Sequence, residues 1–261
     1  VLKFTPISIL SSNYLWLIEH SRSREVWAVD PGDAAPLLVY LKRANKQLAG
    51  ILITHTHGDH IGGIDDLLRH HSAPVFGPQH PRIPQLTHAL EEGSRFALWP
   101  DVEVTTLALP GHLPEHLAYI LASASDLHLM VGDVLFSCGC GRIFDGTPEL
   151  LFQSLMRLRG LPDSTRVYCA HEYTLINSRF ALNYEPDNRA LQDKYAQAKQ
   201  LTAAGKCTLP STIASEKACN PFLRCDVPEF CKSADSVLKI QYQTPLQRFT
   251  ALRSLRDSFS L

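Results

Sequence analysis

The segment Gly50-Ile51-Leu52-Ile53-Thr54-His55-Thr56-His57-Gly58-Asp59-His60 decides the reading of this chain. Its first four residues form an apolar run of strand length, and from Gly62 to His70 the pattern is that of a helix. Four potential ligands, His55, His57, Asp59 and His60, fall within six residues at the strand-to-helix turn, and that density is a metal signature. On an extended or turning backbone, residues two apart point to the same side, so His55 and His57 can share one ion. Asp59 and His60, carried round the turn, can reach a second ion nearby. A histidine-rich surface loop has no need of this strand-to-helix setting.

Outward from this segment, short β-branched and apolar runs alternate with helical patterns as far as His171. Strands are expected over residues 7–10, 14–18, 26–29, 50–53, 74–76, 102–107, 117–121, 127–131 and 165–169, and helices over 34–44, 62–70 and 148–159. Asp30-Pro31-Gly32, Leu109-Pro110-Gly111 and Val131-Gly132-Asp133 place turn residues just after strands, where polar side chains can converge at one sheet edge. Beyond His171 the texture becomes helical over 188–204 and 245–259, with a looser proline-containing stretch near 208–231. The expected organisation is therefore an α/β domain over 1–173 and a smaller α-helical domain over 174–261.

Composition narrows the function. The 261 residues are 45% hydrophobic and 20% charged, which excludes disordered and fibrous classes. Lys plus Arg number 25 against 26 Asp plus Glu, a balance that disfavours nucleic acid as a partner. Seven cysteines lack Cys-x-x-Cys spacing, so they read as thiols of a reducing cytosol. No apolar run approaches the ~20 residues needed to span a bilayer, and residues 1–20 lack the pattern of an export signal, so no membrane partner is expected.

Further ligand types follow later strands: His112 in Pro110-Gly111-His112, Asp133 in Gly132-Asp133, and His171 in Ala170-His171-Glu172-Tyr173. Each alone reads more readily as a turn or capping residue. Together they bring the set to five His and two Asp, which suits two borderline ions bound by imidazole and carboxylate. Zinc, iron and manganese all tolerate such donors, with zinc the first expectation.

These motifs resemble the metallo-β-lactamase superfamily and, within it, the hydroxyacylglutathione hydrolase (glyoxalase II) family. The resemblance covers nearly the whole chain: Asn13-Tyr14, Asp30-Pro31-Gly32, the 55–60 cluster, Pro110-Gly111-His112, Gly132-Asp133-Val134-Leu135-Phe136, Gly146-Thr147 and His171-Glu172-Tyr173-Thr174. The Gly139-Cys140-Gly141-Arg142 loop, Asn220-Pro221-Phe222 and the arginine-rich C-terminal helix carry the family-level likeness. It implies an αββα sandwich, two packed sheets flanked by helices, with a helical C-terminal domain. It also implies that His55, His57 and His112 bind one metal, that Asp59, His60 and His171 bind a second, and that Asp133 bridges them.

The implied activity is hydrolysis of S-D-lactoylglutathione to D-lactate and glutathione by a hydroxide bridging two metal ions, in methylglyoxal detoxification. Asp59 is the expected acceptor of the water's proton. A thiolate leaves readily, so no Ser-His-Asp arrangement is required. Arg142, Tyr173, Arg253 and Arg256 are implied to hold the glutathione part. In Leu252-Arg253-Ser254-Leu255-Arg256 the arginines are three apart on one helical face, with Leu252, Leu255 and Phe259 as the apolar stripe. The partner is then a small-molecule glutathione thioester, without an obligate protein partner, and the location cytoplasmic.

The chain departs from the familiar family pattern in places. Thr56 stands where His is common, Glu115 replaces a Gly before His116, and Phe144 stands where some members carry Tyr. Arg142 and Arg256 keep the charge of the Lys found in some members. Cys138 and Cys140 have no base beside them in sequence and read as parts of a tight glycine loop rather than nucleophiles. Competing readings are another superfamily activity, such as persulfide dioxygenase, lactonase or phosphodiesterase action, and a binding module that keeps the fold without catalysis.

Overall fold

A computed structural model describes residues 1–123 and 126–259, so the last two positions of the expected 174–261 domain lie outside the described residues. The backbone forms two compact units: Val1–Leu109 with Glu115–Gly132, and Pro110–Pro114 with Asp133–Leu261.

The first unit opens with β1 (Leu2–Ile9), β2 (Asn13–His20), β3 (Glu25–Val29), α1 (Ala35–Ala44) and β4 (Gln47–Leu52). It continues with α2 (Gly58–Ile61), α3 (Ile64–His70), β5 (Val75–Pro78) and β6 (His88–Leu90). The six strands make one sheet in sequence order, with β1 to β3 antiparallel and β3 to β6 parallel. β7 (Arg95–Trp99), β8 (Val102–Ala108), β9 (Leu117–Ser123) and β10 (Asp126–Gly132) pair antiparallel in a second sheet.

Every residue of β2 is buried, as expected of a strand covered on both faces. Leu15 and Leu17 on one face pack with Leu37 and Leu41 of α1 and Ile64 and Leu67 of α3. The second sheet meets the first through the rings of Phe76 and Phe96, 4.8 Å apart, and through the Tyr119 hydroxyl, which donates to the Ile53 carbonyl. Helix, sheet and sheet thus form successive layers, as the α/β sandwich expectation requires.

The helix expected over 62–70 is α3, which begins at Ile64, and a separate short helix, α2, precedes it across Gly62-Gly63. The Gly63 amide donates to the Pro31 carbonyl at 2.8 Å instead of continuing the first helix. A methyl group at Gly63 would lie 2.6 Å from that carbonyl, so the approach requires glycine. β6 and β7 were absent from the sequence expectation. β6 is a three-residue edge strand with little burial, and β7, Arg95-Phe96-Ala97-Leu98-Trp99, is a short run whose first three positions are not buried and which shows no apolar alternation.

The second unit contains β11 (Leu135–Phe136), β12 (Gly139–Cys140), α4 (Pro148–Arg159), β13 (Arg166–Cys169), α5 (Thr174–Leu182) and α6 (Arg189–Ala203). β14 (Ser211–Thr212), α7 (Ile213–Cys219), a 3-10 turn (Pro221–Leu223), α8 (Pro228–Leu238) and α9 (Pro245–Asp257) complete it. Side chains define the helix starts: Thr147 caps α4, Asn188 caps α6, and Thr244 with Gln247 forms a reciprocal capping box on α9. The stretch near 208–231 is more ordered than its prolines suggest, because Thr212 caps α7 and Pro228 occupies the first turn of α8.

The β11–β12 hairpin turns at Cys138, where φ is +57°, and is held from below. Asn220 Nδ2 donates to the Phe136 and Gly139 carbonyls at 3.2 and 2.9 Å. The buried Glu216 carboxylate accepts from the Cys138 amide at 2.8 Å and from the Ser211 hydroxyl. No helix among the described residues is long and apolar enough to cross a membrane.

Candidate metal centre

In the first unit, β4 delivers Thr54 and His55 to the sheet edge and the chain then turns into α2. The Thr54 hydroxyl donates to Asp30 Oδ2 at 2.7 Å, and its oxygen lies 3.0 Å from His55 Nδ1. Its single proton is already given to Asp30, so it accepts from His55 Nδ1–H and leaves the His55 Nε2 lone pair for a ligand. His57 Nδ1 lies 3.0 Å from that Nε2, so the two nitrogens face each other as the alternation argument anticipates.

Asp30 also sits 3.0 Å from His60 Nδ1 through Oδ2, which directs His60 Nε2 towards Asp59 Oδ2 at 3.6 Å. Asp59 is oriented in turn by Asn13 Nδ2, 2.8 Å from the same oxygen. The whole turn rests on Asp30-Pro31-Gly32. A methyl group at Gly32 would lie 1.8 Å from the Asp59 carbonyl oxygen, so only glycine permits the contact. Gly132 is equally constrained, because its φ is +52° and a methyl group there would be 2.6 Å from Thr54 Oγ1.

Sequence reasoning read Asp30 only as a turn residue, and assigned no role to Asn13 beyond family likeness. Their signal was present: a polar residue directly after one strand and another at the start of β2, both at the sheet edge that carries the histidines. His116 stacks on His55 with ring centroids 4.8 Å apart.

In the second unit, His112, Asp133 and His171 come together from three separate loops. His171 Nε2 is 3.2 Å and His112 Nε2 3.7 Å from Asp133 Oδ2. His112 Nδ1 lies 2.7 Å from the Arg142 carbonyl, which only accepts, so Nδ1 carries the proton and Nε2 is left for coordination. Gly141 allows this approach: a methyl group there would be 2.0 Å from the Asp133 carbonyl oxygen and 3.2 Å from His112 Nδ1.

His55 and His112 thus each have Nδ1 committed to an oxygen and Nε2 turned to a neighbouring imidazole or carboxylate, and His60 Nε2 faces the Asp59 carboxylate. That is the arrangement of metal-ligating histidines, and the mixed imidazole–carboxylate donor set suits borderline divalent ions.

The residues expected to hold the thiol carrier lie in the second unit in unequal settings. Tyr173 stacks on His171 with centroids 4.8 Å apart. Arg142 is largely exposed, and its Nε donates to Asp257 Oδ1 at 3.1 Å. Arg256 is half-buried and donates through Nε to Asn177 Oδ1 at 3.0 Å. Arg253 is buried at 6% exposure, with Nη1 donating to the Cys140 and Gly141 carbonyls at 2.7 and 3.2 Å.

The expected apolar stripe of α9 is corrected at Leu255, which is 38% exposed. The buried face is Arg248, Phe249, Leu252 and Arg253. Two guanidiniums belong to it because their polar ends find carbonyl and carboxylate acceptors while their stems pack. Cys138 and Cys140 are both buried, and their thiols are pushed up in pKa. For Cys138 the cause is its hydrogen bond with Cys219 together with burial, and for Cys140 it is burial.

Comparison with known proteins follows the same division of motifs. Residues 16–171 match the metallo-beta-lactamase superfamily, and residues 172–259 match the hydroxyacylglutathione hydrolase C-terminus. The chain is 44% identical over 260 residues to a hydroxyacylglutathione hydrolase of Vibrio parahaemolyticus, covering 99% of this chain and 100% of that one. It is 41% identical to one of Nitrosomonas europaea, covering 97% and 95%.

Among solved structures, ETHE1 from Myxococcus xanthus has a TM-score of 0.63 at 24% identity, covering 98% of each chain. TTHA1623 in a di-iron-bound form has a TM-score of 0.58 at 26% identity, covering 84% of this chain and 100% of that one. The fold is that of the metallo-β-lactamases. Full-length identity above 40% together with both family matches shows that this chain belongs to the hydroxyacylglutathione hydrolase family of that superfamily.

Proposed function

We propose that the protein hydrolyses the thioester S-D-lactoylglutathione to D-lactate and glutathione, a step of methylglyoxal detoxification. The observation that carries this reading is the commitment of Nδ1 in His55 and His112 to oxygen acceptors, which leaves their Nε2 atoms for metal. His55, His57 and His112 are the ligands proposed for one ion, and Asp59, His60 and His171 for the other, with Asp133 between them. Zinc is the first choice, and iron or manganese would suit the same donors. TTHA1623, the fold neighbour described above, is known in a di-iron-bound form.

Two divalent ions, when bound, bring the pKa of a water towards ~7 and stabilise charge developing on the thioester carbonyl oxygen. The chain supplies the rest. Asp59, oriented by Asn13, takes the proton of the attacking water. Thr54 holds His55 in the required tautomer, and Asp30 lies against His60 Nδ1. The leaving thiolate needs no dedicated acid. Arg142, Tyr173, Arg253 and Arg256 serve the glutathione part, Arg253 by supporting the loop from beneath.

In functional terms residues 1–173 carry the metal ligands together with Arg142 and Tyr173, and 174–261 contribute Arg253 and Arg256 to substrate recognition. The partner is a small glutathione thioester, with no nucleic acid, membrane or obligate protein partner, and the location proposed is the cytoplasm. Metal analysis of the purified protein combined with a thioester assay tests this. Two ions per chain and turnover of S-D-lactoylglutathione are expected. Absence of turnover after reconstitution with zinc, iron and manganese would overturn it.

A further inference from the structure

Helix α9 reaches the loop after β12 by two routes that share one atom. Arg253 Nη1 donates to the Cys140 and Gly141 carbonyls, and Arg253 Nη2 donates to Asp257 Oδ1 at 3.0 Å. The same Oδ1 accepts from Arg142 Nε at 3.1 Å. Three consecutive residues, 140 to 142, are therefore tied to α9, the first two through their carbonyls and the third through its side chain. The opposite side of this short segment is used as well, because the Arg142 carbonyl takes the proton of His112 Nδ1.

Asp257 occupies an unfavourable place for a carboxylate. It is the last residue of α9, where the helix dipole favours a cation and opposes an anion. Two guanidiniums reverse that local preference, one of them on the buried Arg253. The geometry also divides the Arg142 donors. Nε is taken by Asp257, which leaves the Nη1/Nη2 end of the planar fork turned to whatever the side chain meets beyond it, and that end suits a carboxylate.

We propose that Asp257 is a positioning residue for recognition of the thiol carrier. By anchoring Arg142 through Nε and Arg253 through Nη2, it presents the Nη end of Arg142 to a carboxylate of the glutathione moiety. This rests on the thioesterase reading above and adds a residue to it. Asp257 is tied to Arg142 and Arg253 and has no part in the proposed metal ligation or proton transfer. Its effect is therefore confined to substrates whose carrier bears a carboxylate.

The test compares Asp257→Asn, Arg142→Ala and their double mutant on two thioesters, S-D-lactoylglutathione and the lactoyl thioester of N-acetylcysteamine, which has no carboxylate. Asp257→Asn should raise KM for the glutathione thioester about three- to tenfold, the range of a partly exposed charged pair, with KM for the N-acetylcysteamine thioester unchanged. The double mutant should be no worse than Arg142→Ala alone. Equal KM increases on both thioesters, or additive effects in the double mutant, would overturn the proposal.

Hydrogen exchange over residues 139–145 in the metal-free protein gives a second readout that needs no turnover. Faster exchange in Asp257→Asn than in the parent is expected, and identical exchange would overturn the anchoring. A parent protein that hydrolyses neither thioester but shows the exchange difference would count against the proposed activity and leave the tether intact. If Asp257→Asn fails to fold, Arg142→Lys, which keeps the charge but lacks Nε, must show the same selective KM rise.

Discussion

Thr56 and Glu115, two positions at which this chain departs from the usual family pattern, are hydrogen-bond partners: Thr56 Oγ1 donates to Glu115 Oε1 at 2.6 Å. Thr56 lies between two proposed ligands in sequence and is buried, and Glu115 precedes the His116 that stacks on His55. The two departures form one local solution. Glu115→Gly alone strands a buried hydroxyl and should cost about 1–3 kcal/mol, with metal content unchanged. Thr56→His together with Glu115→Gly should recover much of that loss, so urea unfolding of both single mutants and the double mutant should show coupling. Strict additivity would mean the contact contributes nothing.

The 50–60 segment was legible because strand, turn and ligands are adjacent in sequence. Alternation alone placed His55 and His57 together. The tethers were not legible. Asp30 to His60 spans 30 residues and Asp257 to Arg142 spans 115, and neither spacing has a periodicity to announce it. The burial of Arg253 was missed for a related reason. A helical Arg reads as exposed until the carbonyls of a distant loop are brought beneath it.

Asp133→Ala should lose metal at both proposed sites, because a single carboxylate would stand between two like-charged ions. His171 Nε2 and His112 Nε2 both approach the same Asp133 oxygen. Metal analysis after dialysis checks this directly. Two retained ions with near-normal turnover would remove the bridging role.

Carrier recognition predicts selectivity among thioesters. Varied 2-hydroxyacyl groups on glutathione should be hydrolysed, while the matching coenzyme A thioesters should be poor substrates. Comparable kcat/KM on both carriers would show that Arg142, Tyr173 and Arg256 do not read the peptide.

The cysteines should be silent in catalysis. Burial raises the pKa of the Cys140 thiol, and that of Cys169 and Cys225 is pushed still further up by the same cause, so thiolate is scarce near neutral pH. Native-state alkylation at about pH 7.5 should label only the partly exposed Cys207 and Cys231 and leave turnover unchanged. Inactivation that tracks labelling of Cys138 or Cys140 would revive a thiol mechanism.

Arg253 and Arg256 should separate under mutation, although the sequence places them on one helical face. Arg253 is enclosed: its guanidinium serves two carbonyls and Asp257 and lies 5.4 Å over the Phe222 ring. Removing it leaves buried carbonyls without their donor, at about 1–3 kcal/mol for each unsatisfied group. Arg253→Ala should therefore lower Tm by roughly 5–10 °C, at about 2–4 °C per kcal/mol for a chain of this size. Arg256 is less enclosed, and it remains cationic at neutral pH even though burial and the neighbouring Arg253 lower its pKa. Arg256→Ala should raise KM about tenfold or more, the loss expected for one charge-assisted contact, with kcat and Tm close to the parent. Thermal melts and steady-state kinetics on both mutants decide between the two roles. A KM change without a stability change in Arg253→Ala would place its guanidinium on the substrate instead, and a Tm loss in Arg256→Ala would make that residue structural.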